Sequence, residues 1–215
     1  MIQIFLGDFY IFFRIDKLSV GIAVFGQSFV MLFTALTVAG DRARSFLVRL
    51  YTTPMKAIDF ILGYMLPMLV IGAAQGLLIA LCSWIVSLCT GVSLQPLGLL
   101  ASVLTLLPSL VLFISLGLLL GTLFNEKAAP GLCSVIISLA SFLGCIWFDA
   151  DSLGGVMLTI CRALPFYYCT RAGRSAAVLA FSREGWLLPL LIVAGCAALM
   201  TLLASWVFRT RMKAD

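Results

Sequence analysis

The residues best suited to chemistry in this sequence are its seven cysteines, since the 215-residue chain has no histidine and only nine acidic residues. Zinc sites use cysteine thiolates and histidines grouped at short spacings. No Cys-x-x-Cys pair occurs, and the acidic residues are not clustered, so the sequence argues against a metal site. The absence of histidine also removes the commonest general base, which makes an enzyme the least favoured class.

The cysteines fall into two groups by their surroundings. Those in apolar runs are expected to pack as small apolar side chains; they are Cys82, Cys89, Cys133, Cys145 and Cys196. Cys161 and Cys169 lie in a more polar segment, where an oxidising compartment would allow a disulfide between them. The sequence does not decide whether this bond forms.

The composition is typical of an integral membrane protein. Hydrophobic residues make up 63% of the chain, charged residues 11%, and the mean hydropathy is +1.17, whereas soluble domains carry about 25% charged residues. No charge lies between Lys17 and Asp41, or between Asp59 and Glu126. A transmembrane helix needs about 20 apolar residues, so the first run holds one span and the second holds two. The net charge of +5 comes from basic residues grouped at span ends, which favours anchoring to membrane lipids over binding of nucleic acid.

The apolar runs predict an all-α, polytopic membrane protein with a single transmembrane domain over residues 1–215. About five spans are expected, with a kink at Pro108 in the third and tilting or bending at Pro67 in the second. The spans cover residues 18–40, 57–88, 97–124, 129–148 and 186–208. Met1–Phe13 is apolar but too short to span, and it lacks the basic start and cleavage site of a signal peptide.

The segment after the first span has the pattern of an amphipathic helix. Ala43, Phe46, Leu47 and Leu50 repeat at helical spacing, which predicts one apolar stripe with charged residues on the opposite face. Thr53 is a good N-cap and Pro54 suits the first position of the following helix. We therefore expect a helix over 41–51 at the membrane surface, a sharp break, and a new helix entering the bilayer.

A second interfacial helix is predicted between the last two spans, over about residues 152–164. Its apolar residues again repeat at helical spacing, and the pattern ends at Pro165. We expect this helix to lie in the interface or partly re-enter the membrane. Tyr167 and Tyr168 follow directly and are expected to form a turn within an aromatic belt.

The distribution of basic residues indicates an orientation, although the bias is modest. With the 41–56 segment in the cytoplasm, more basic residues lie inside than outside, as the positive-inside rule requires. The inside set is Arg42, Arg44, Arg49, Lys56, Lys127, Arg209, Arg211 and Lys213. The outside set is Arg14, Lys17, Arg162, Arg171, Arg174 and Arg183.

Three stretches together resemble the ABC-2 type transporter permease family. The first is Gly-Asp-Arg-Ala-Arg-Ser-Phe-Leu-Val-Arg-Leu-Tyr-Thr-Thr-Pro at residues 40–54, followed by Phe-Ile-Leu-Gly at 60–63. The third is Leu-Pro-Phe-Tyr at 164–167, similar to the family's Leu-Pro-x-x-Tyr stretch between its last two spans. The family usually has six spans, and the match begins at what would be the second, so the first span is expected to be missing or reduced to Met1–Phe13.

The resemblance implies a permease subunit in the cell membrane that pairs with a second permease subunit and with a separate ABC ATP-binding subunit. The helix over 41–51 would be the coupling helix that meets the ATPase. The residues implied in coupling are Asp41, Arg42, Arg44, Phe46, Arg49, Leu50, Thr53 and Pro54. This chain has no Gly-x-x-x-x-Gly-Lys-Ser/Thr loop, so ATP hydrolysis is expected in the partner and no cofactor here. The plainer reading of the arginines is attraction to lipid head groups, worth about 1 kcal/mol each.

Other polar or small residues each have a plain and a functional reading. Gln27, Ser28 and Gln75 lie deep in spans, where helix-to-helix hydrogen bonding is favoured, and Gln27 and Gln75 would otherwise line a translocation path. The pairs Gly72/Gly76 and Gly117/Gly121 predict close helix packing within one subunit, or a dimer seam. For Tyr167 and Tyr168 the plain reading is the aromatic belt. The resemblance to the family suggests the functional one, in which Pro165, Tyr167 and Tyr168 form an outer gate with the short helix before them. No acidic or basic residue lies firmly at mid-membrane, which argues against a proton-coupled transporter.

The missing first span supports an alternative of a different class. In this alternative the chain is a non-transporting membrane scaffold, an immunity factor or a truncated remnant of such a permease. A neighbouring reading frame that encodes an ATPase with a Walker loop would favour transport instead. The sequence contains no legible pocket and therefore does not indicate a substrate.

Overall fold

The computed structural model describes residues 15–44, 57–90, 94–147 and 155–212, and within these ranges nearly every residue is helical. A π-helical segment, Arg183–Leu187, leads into the last helix. The α-helices are α1 (Ile15–Ala43), α2 (Ala57–Thr90), α3 (Pro96–Thr105), α4 (Leu107–Leu123), α5 (Ala129–Leu143), α6 (Gly155–Ala163), α7 (Pro165–Ala177) and α8 (Leu188–Met212). The described ranges contain no β-strand, and the predicted all-α class is confirmed.

Four helical stretches in the described residues are long and apolar enough to cross a bilayer. They are Lys17–Ala43, Asp59–Cys89, Pro96–Leu123 and Arg183–Thr210. The shorter α5 is apolar but has only 15 residues, a length of about 22 Å against a hydrocarbon core of about 30 Å. The prediction of a polytopic helical membrane bundle is confirmed.

The centre of the bundle is formed by α1 and α4, which pack along each other, with α8 on another side of α4. About 61% of the span residues are buried in α1 and in α3–α4, compared with 11% in α2. Such a difference follows from the side chains, because α2 exposes many large apolar residues, while Gly117 and Gly121 of α4 let α1 approach closely. The helix α2 is therefore peripheral, and α1 and α4 together contact most of the other helices.

The predicted kink in the third span is a one-residue interruption of the helix, between α3 and α4. Leu106 separates the two helices, with φ −84° and ψ −2°. Pro108 explains the break, because it has no N–H to donate to the carbonyl of Leu104 and its ring collides with that carbonyl. By contrast, α2 continues through Pro67.

The structure differs from the prediction at the end of the fourth span. Instead of continuing to residue 148, α5 ends at Leu143, and residues 144–147 form a turn. Cys145 has φ 52°, a left-handed conformation that costs a non-glycine residue about 1 kcal/mol or more. This turn is held by side chains from α7, which the sequence pattern did not indicate.

Pro165 was predicted as the end of a helix with a turn after it, and the second half of that prediction is wrong. The α6 helix does stop at Ala163, but Pro165 is the first residue of the 13-residue α7. Leu164 is extended, as expected for a residue before proline. The fixed φ of proline suits the first turn of a helix, where the missing N–H is not needed.

Candidate functional site

The first candidate site is the last turn of α1, where the predicted coupling segment begins. The prediction placed a new helix at Asp41, but α1 runs unbroken through Ala43. Gly40 does not end the helix; it faces Glu126, whose Oε1 would be 3.9 Å from a Cβ at this position. The rest of the predicted helix, and the coupling residues within and after it, lie outside the described residues: Phe46, Arg49, Leu50, Thr53 and Pro54.

Asp41 and Arg42 bind two different helices. The hydroxyl of Tyr64 on α2 donates a hydrogen bond of 2.8 Å to Asp41 Oδ2. Arg42 Nη1 donates to the carbonyls of Gly121 (3.3 Å) and Thr122 on α4. Consecutive helical residues point about 100° apart, which allows the pair to contact separate neighbours. The last turn of α1 is thus tied to both α2 and α4.

The bonds of Arg42 have a clear electrostatic cause. The last four carbonyls of a helix lack partners within the helix, and they form the negative end of its dipole. The N–H of Phe124 already binds the carbonyl of Leu120, so Gly121 and Thr122 are the carbonyls that Arg42 satisfies. A cation at this position stabilises a helix by about 0.3–2 kcal/mol. The guanidinium of Arg42 is therefore bonded to the end of α4, whereas the side chain of Arg44 is exposed.

Close packing of α1 and α4 brings Arg42 within reach of these carbonyls. A Cβ on Gly117 would lie 2.4 Å from the carbonyl oxygen of Met31, and one on Gly121 would lie 2.6 Å from that of Ala35. A Cβ on Gly72 would meet the side chain of Leu110 at 2.4 Å. Both glycine pairs thus contribute to packing within one subunit, which was the favoured reading.

Several of the basic residues predicted to lie inside gather at this end of the bundle, which we call the Asp41 end. The rings of Phe60 and Phe208 lie 6.2 Å apart, so α2 begins and α8 ends beside it. The predicted polar turn between α4 and α5 is also here, closed by a 3.0 Å bond from the Ala128 N–H to Asn125 Oδ1. The basic residues at this end are Arg42, Arg44, Lys127 and Arg209.

The predicted gate residues lie at the opposite end of α1, which we call the Tyr167 end. Tyr167 is only 4% exposed and packs with the buried Cys145 and Cys161. The prediction that it belongs to a lipid-facing aromatic belt is therefore wrong; its hydroxyl accepts a 3.2 Å bond from Arg171 Nη1. Tyr168 is half-buried and donates to the carbonyl of Arg162 at 2.9 Å.

Pro165 contributes to this arrangement by starting α7, as described above. Cys161 and Cys169, which were expected in a polar segment, are both buried and both free thiols. The segment is amphipathic rather than polar throughout, so its small residues and cysteines face the bundle.

The sequence counted Arg174 only among the outside basic residues and predicted no contact for it. Its Nη2 donates to the carbonyls of Cys145 (2.9 Å) and Ile146 (3.1 Å), and its Nε donates to that of Lys17 (3.3 Å). It therefore connects α7, the turn after α5 and the start of α1. The sequence does contain a signal, because Arg174 lies among small residues that permit close helix packing: Ala172, Gly173, Ala176 and Ala177.

Gln27 lies at the break between α3 and α4. Its Nε2 donates to the carbonyl of Leu106 at 3.1 Å, and its Oε1 accepts from Ser109 at 2.5 Å. It is only 6% exposed, and these contacts are the helix-to-helix hydrogen bonding that the sequence favoured. Ser28 bonds within its own helix, to the carbonyl of Phe25. Gln75 is half-buried, and its amide fills the space beside Gly26 of α1.

Replacing Gln27 by leucine is expected to lower the free energy of unfolding by about 1 kcal/mol, the typical upper range for hydrogen bonds between membrane helices. The cause is loss of both bonds at the break beside Leu106. Thermal unfolding of the purified protein in detergent would measure the change. Thr37→Val is the control, because Thr37 is exposed and bonds only to Phe33 of its own helix. Equal melting temperatures for the two variants would contradict the prediction.

An open apolar groove of about 660 Å³ lies on the bundle surface between α4 and α8. Its lining includes neither Gln27 nor Gln75, so the groove is separate from the predicted path residues. Thr201 is its polar residue, and its hydroxyl is already paired with Ser115 at 2.7 Å. The lining residues are Leu107, Pro108, Val111, Ala194, Ala197, Ala198, Thr201 and Leu202.

Within the described ranges, no three His, Cys, Asp or Glu side chains lie together as a metal site would require. What these ranges contain instead is a set of helical spans with polar junctions at both ends of the central helix. Such an arrangement defines a polytopic α-helical membrane protein.

The comparison with protein families identifies the class more closely. Residues 2–178 match the family model described as ABC-2 type transporter. The match covers most of the chain, which therefore belongs to this family and has a permease-type role in ABC transport. Neither the search of curated proteins nor the search of solved structures gave a match.

Proposed function

We propose that this chain is the permease subunit of an ABC transporter in the cell membrane. A separate ATP-binding subunit supplies the energy, and a second permease subunit, identical or different, completes the transmembrane unit. The segment that meets the ATPase is the one over 41–51. ATP hydrolysis belongs to the partner, and this chain provides the path for the substrate.

The observation that carries the proposal is the polar junction at the end of α1. Asp41 and Arg42 directly precede the rest of the proposed coupling segment, and they bind α2 and α4 respectively. A force applied to residues 45–56 therefore acts on three spans together rather than on one flexible connection. Rigid-body motion of packed helices is an established way to convert a local event into a change across a domain.

The outer gate and the translocation path complete the proposal. Pro165, Tyr167 and Tyr168 lie together at the far end of α1 from the coupling segment, as a gate on the other membrane face requires. The half-buried Gln75 beside Gly26 is the better placed of the two glutamines for a path. The side chain of Gln27 is buried and already hydrogen-bonded to the carbonyl of Leu106.

Replacing Arg49 by glutamate together with Leu50 by aspartate is expected to reduce the ATP hydrolysis that co-purifies with the tagged chain by about tenfold or more. The reason is that interface residues whose loss costs about 2 kcal/mol or more dominate binding, and 1.4 kcal/mol is a factor of ten. The measurement is the rate of ATP hydrolysis in material purified from the native membrane through a tag on this chain.

The matched control is Arg183→Glu with Val178→Asp. Both residues are exposed at the Tyr167 end, so the control makes the same kind of charge change away from the proposed ATPase contact. Undiminished ATP hydrolysis with the Arg49 and Leu50 variant would remove the coupling assignment. An equal loss in both variants would show a general effect of added negative charge instead.

A further inference from the structure

The two ends of α1 are each fixed by an arginine that donates to backbone carbonyls of other elements. At the Asp41 end, Arg42 of α1 holds the carbonyls of Gly121 and Thr122; we call this the Arg42 clamp. At the Tyr167 end, Arg174 of α7 holds the carbonyls of Lys17, Cys145 and Ile146; we call this the Arg174 clamp.

The Arg174 clamp joins three elements at one point. The turn over 144–147 offers three consecutive carbonyls to α7, since Thr170 Oγ1 donates to that of Gly144 at 2.6 Å and Arg174 holds the next two. The same turn touches α1, because a Cβ on Gly21 would be 2.4 Å from the carbonyl oxygen of Ile146. The left-handed Cys145 therefore sits in a turn that its neighbours fix from two sides.

Between the clamps, α1 is one uninterrupted helix that resists shortening and bending. It runs for 29 residues without proline, and shortening or bending it would break hydrogen bonds between successive turns. Its buried face includes Val24, Met31 and Val38, all less than 1% exposed. The neighbouring span differs in this respect, since its helix is interrupted at Leu106, between α3 and α4.

We propose that α1 is a rigid lever that carries displacement from the Asp41 end to the turn over 144–147 and to α7, which bears the proposed gate. Arg42 and Arg174 are positioning residues that hold the lever at its two ends. The ends are about 38 Å apart, at 1.5 Å per residue from Lys17 to Arg42. This inference rests on the proposed function for the source of the push, but the linkage itself is a property of this chain.

The reactivity of the native cysteines can be used to measure this linkage in the chain alone, with no ATPase present. Cys145 lies in the clamped turn and is 0% exposed, so its alkylation by N-ethylmaleimide requires the turn to open. The experiment measures alkylation rates of each cysteine by peptide mass spectrometry, with the full chain in lipid nanodiscs. The variants are Arg174→Gln, Arg174→Lys and Arg42→Gln, with Arg162→Gln and Arg209→Gln as controls that remove an exposed arginine at each end.

Arg174→Gln is expected to raise the rate at Cys145 about tenfold, because it removes charge-assisted hydrogen bonds to the turn. Arg174→Lys keeps a charged donor and should restore part of the protection. The decisive result is Arg42→Gln, which should raise the rate at Cys145 about fivefold from the far end of α1, within the usual range for coupled sites. A purely local role for Arg42 would not change the reactivity of Cys145.

Three outcomes would overturn the lever. One is a wild-type rate at Cys145 in Arg42→Gln, which would show that the ends move independently. Another is an equal rise at the buried Cys133, Cys145 and Cys169, which would show general loosening of the bundle. The third is an equal effect of Arg209→Gln, which would show that any lost charge at that end suffices. None of these results depends on nucleotide or a partner, so failure of the lever is distinguishable from failure of the proposed transport function.

Discussion

Gly117→Ala is expected to lower the free energy of unfolding by about 1–3 kcal/mol, the usual cost of adding atoms to a filled core. The added Cβ would lie 2.4 Å from the carbonyl oxygen of Met31 and 2.8 Å from the Cβ of Thr34. Both obstacles are close to the backbone of α1, so no rotamer change removes the collision and the two helices must separate. The measurement is the thermal unfolding of the purified protein in detergent.

Gly195→Ala is the matched control for this prediction. Gly195 lies in α8, and nothing is within 4 Å of a Cβ placed there. Alanine is favoured over glycine in a helix interior by about 1 kcal/mol, so this variant should be as stable as wild type or slightly more stable. A wild-type melting temperature for Gly117→Ala, or an equal loss in Gly195→Ala, would contradict the close contact between α1 and α4.

The spans were predictable from the sequence because a bilayer imposes a simple requirement. Every backbone polar group in lipid must be satisfied, which makes long apolar runs helical. The runs after Lys17 and Asp59 therefore located α1 and α2 with little error in their bounds. Pro108 was equally predictable, since proline disrupts the helix locally, whatever surrounds it.

The junctions at the two ends of α1 were less predictable, because they depend on residues far apart in the chain. Arg42 and the carbonyl of Gly121 are 79 residues apart, and Arg174 and the carbonyl of Lys17 are 157 apart. Helical periodicity shows which face a residue occupies but not which helix lies opposite. An arginine at a span end therefore reads as a lipid anchor until its neighbours are known.

The error over Tyr167 has the same origin. Tyrosines near span ends usually mark the membrane interface, and Pro165 was read only as the end of a helix. Once Pro165 begins α7, Phe166, Cys169 and Gly173 share a face with small residues, and that face packs into the bundle. Tyr167 is next to this face in the helix and is therefore buried as well, against Cys145 and Cys161.

Cysteine labelling in intact cells is expected to place the two ends of α1 on opposite sides of the membrane. A cysteine at Arg44, which is exposed at the Asp41 end, should react with a membrane-impermeant maleimide only after permeabilisation. A cysteine at Val178, which is 62% exposed just after α7, should react in intact cells. The physical reason is the positive-inside rule: counted over the sequence, the side that holds residues 41–56 carries eight of the basic residues and the other side six.

The native cysteines require a defined background for this measurement. Cys82 and Cys89 are exposed on α2, so both are replaced by alanine, and the chain without an introduced cysteine gives the residual signal. An ATP-binding subunit hydrolyses ATP in the cytoplasm. The segment of this chain that contacts it must therefore face the cytoplasm. Labelling of Arg44→Cys in intact cells would put residues 45–56 on the wrong side for any ATPase and would end the proposed coupling role, while the α1 lever could still be tested through Cys145.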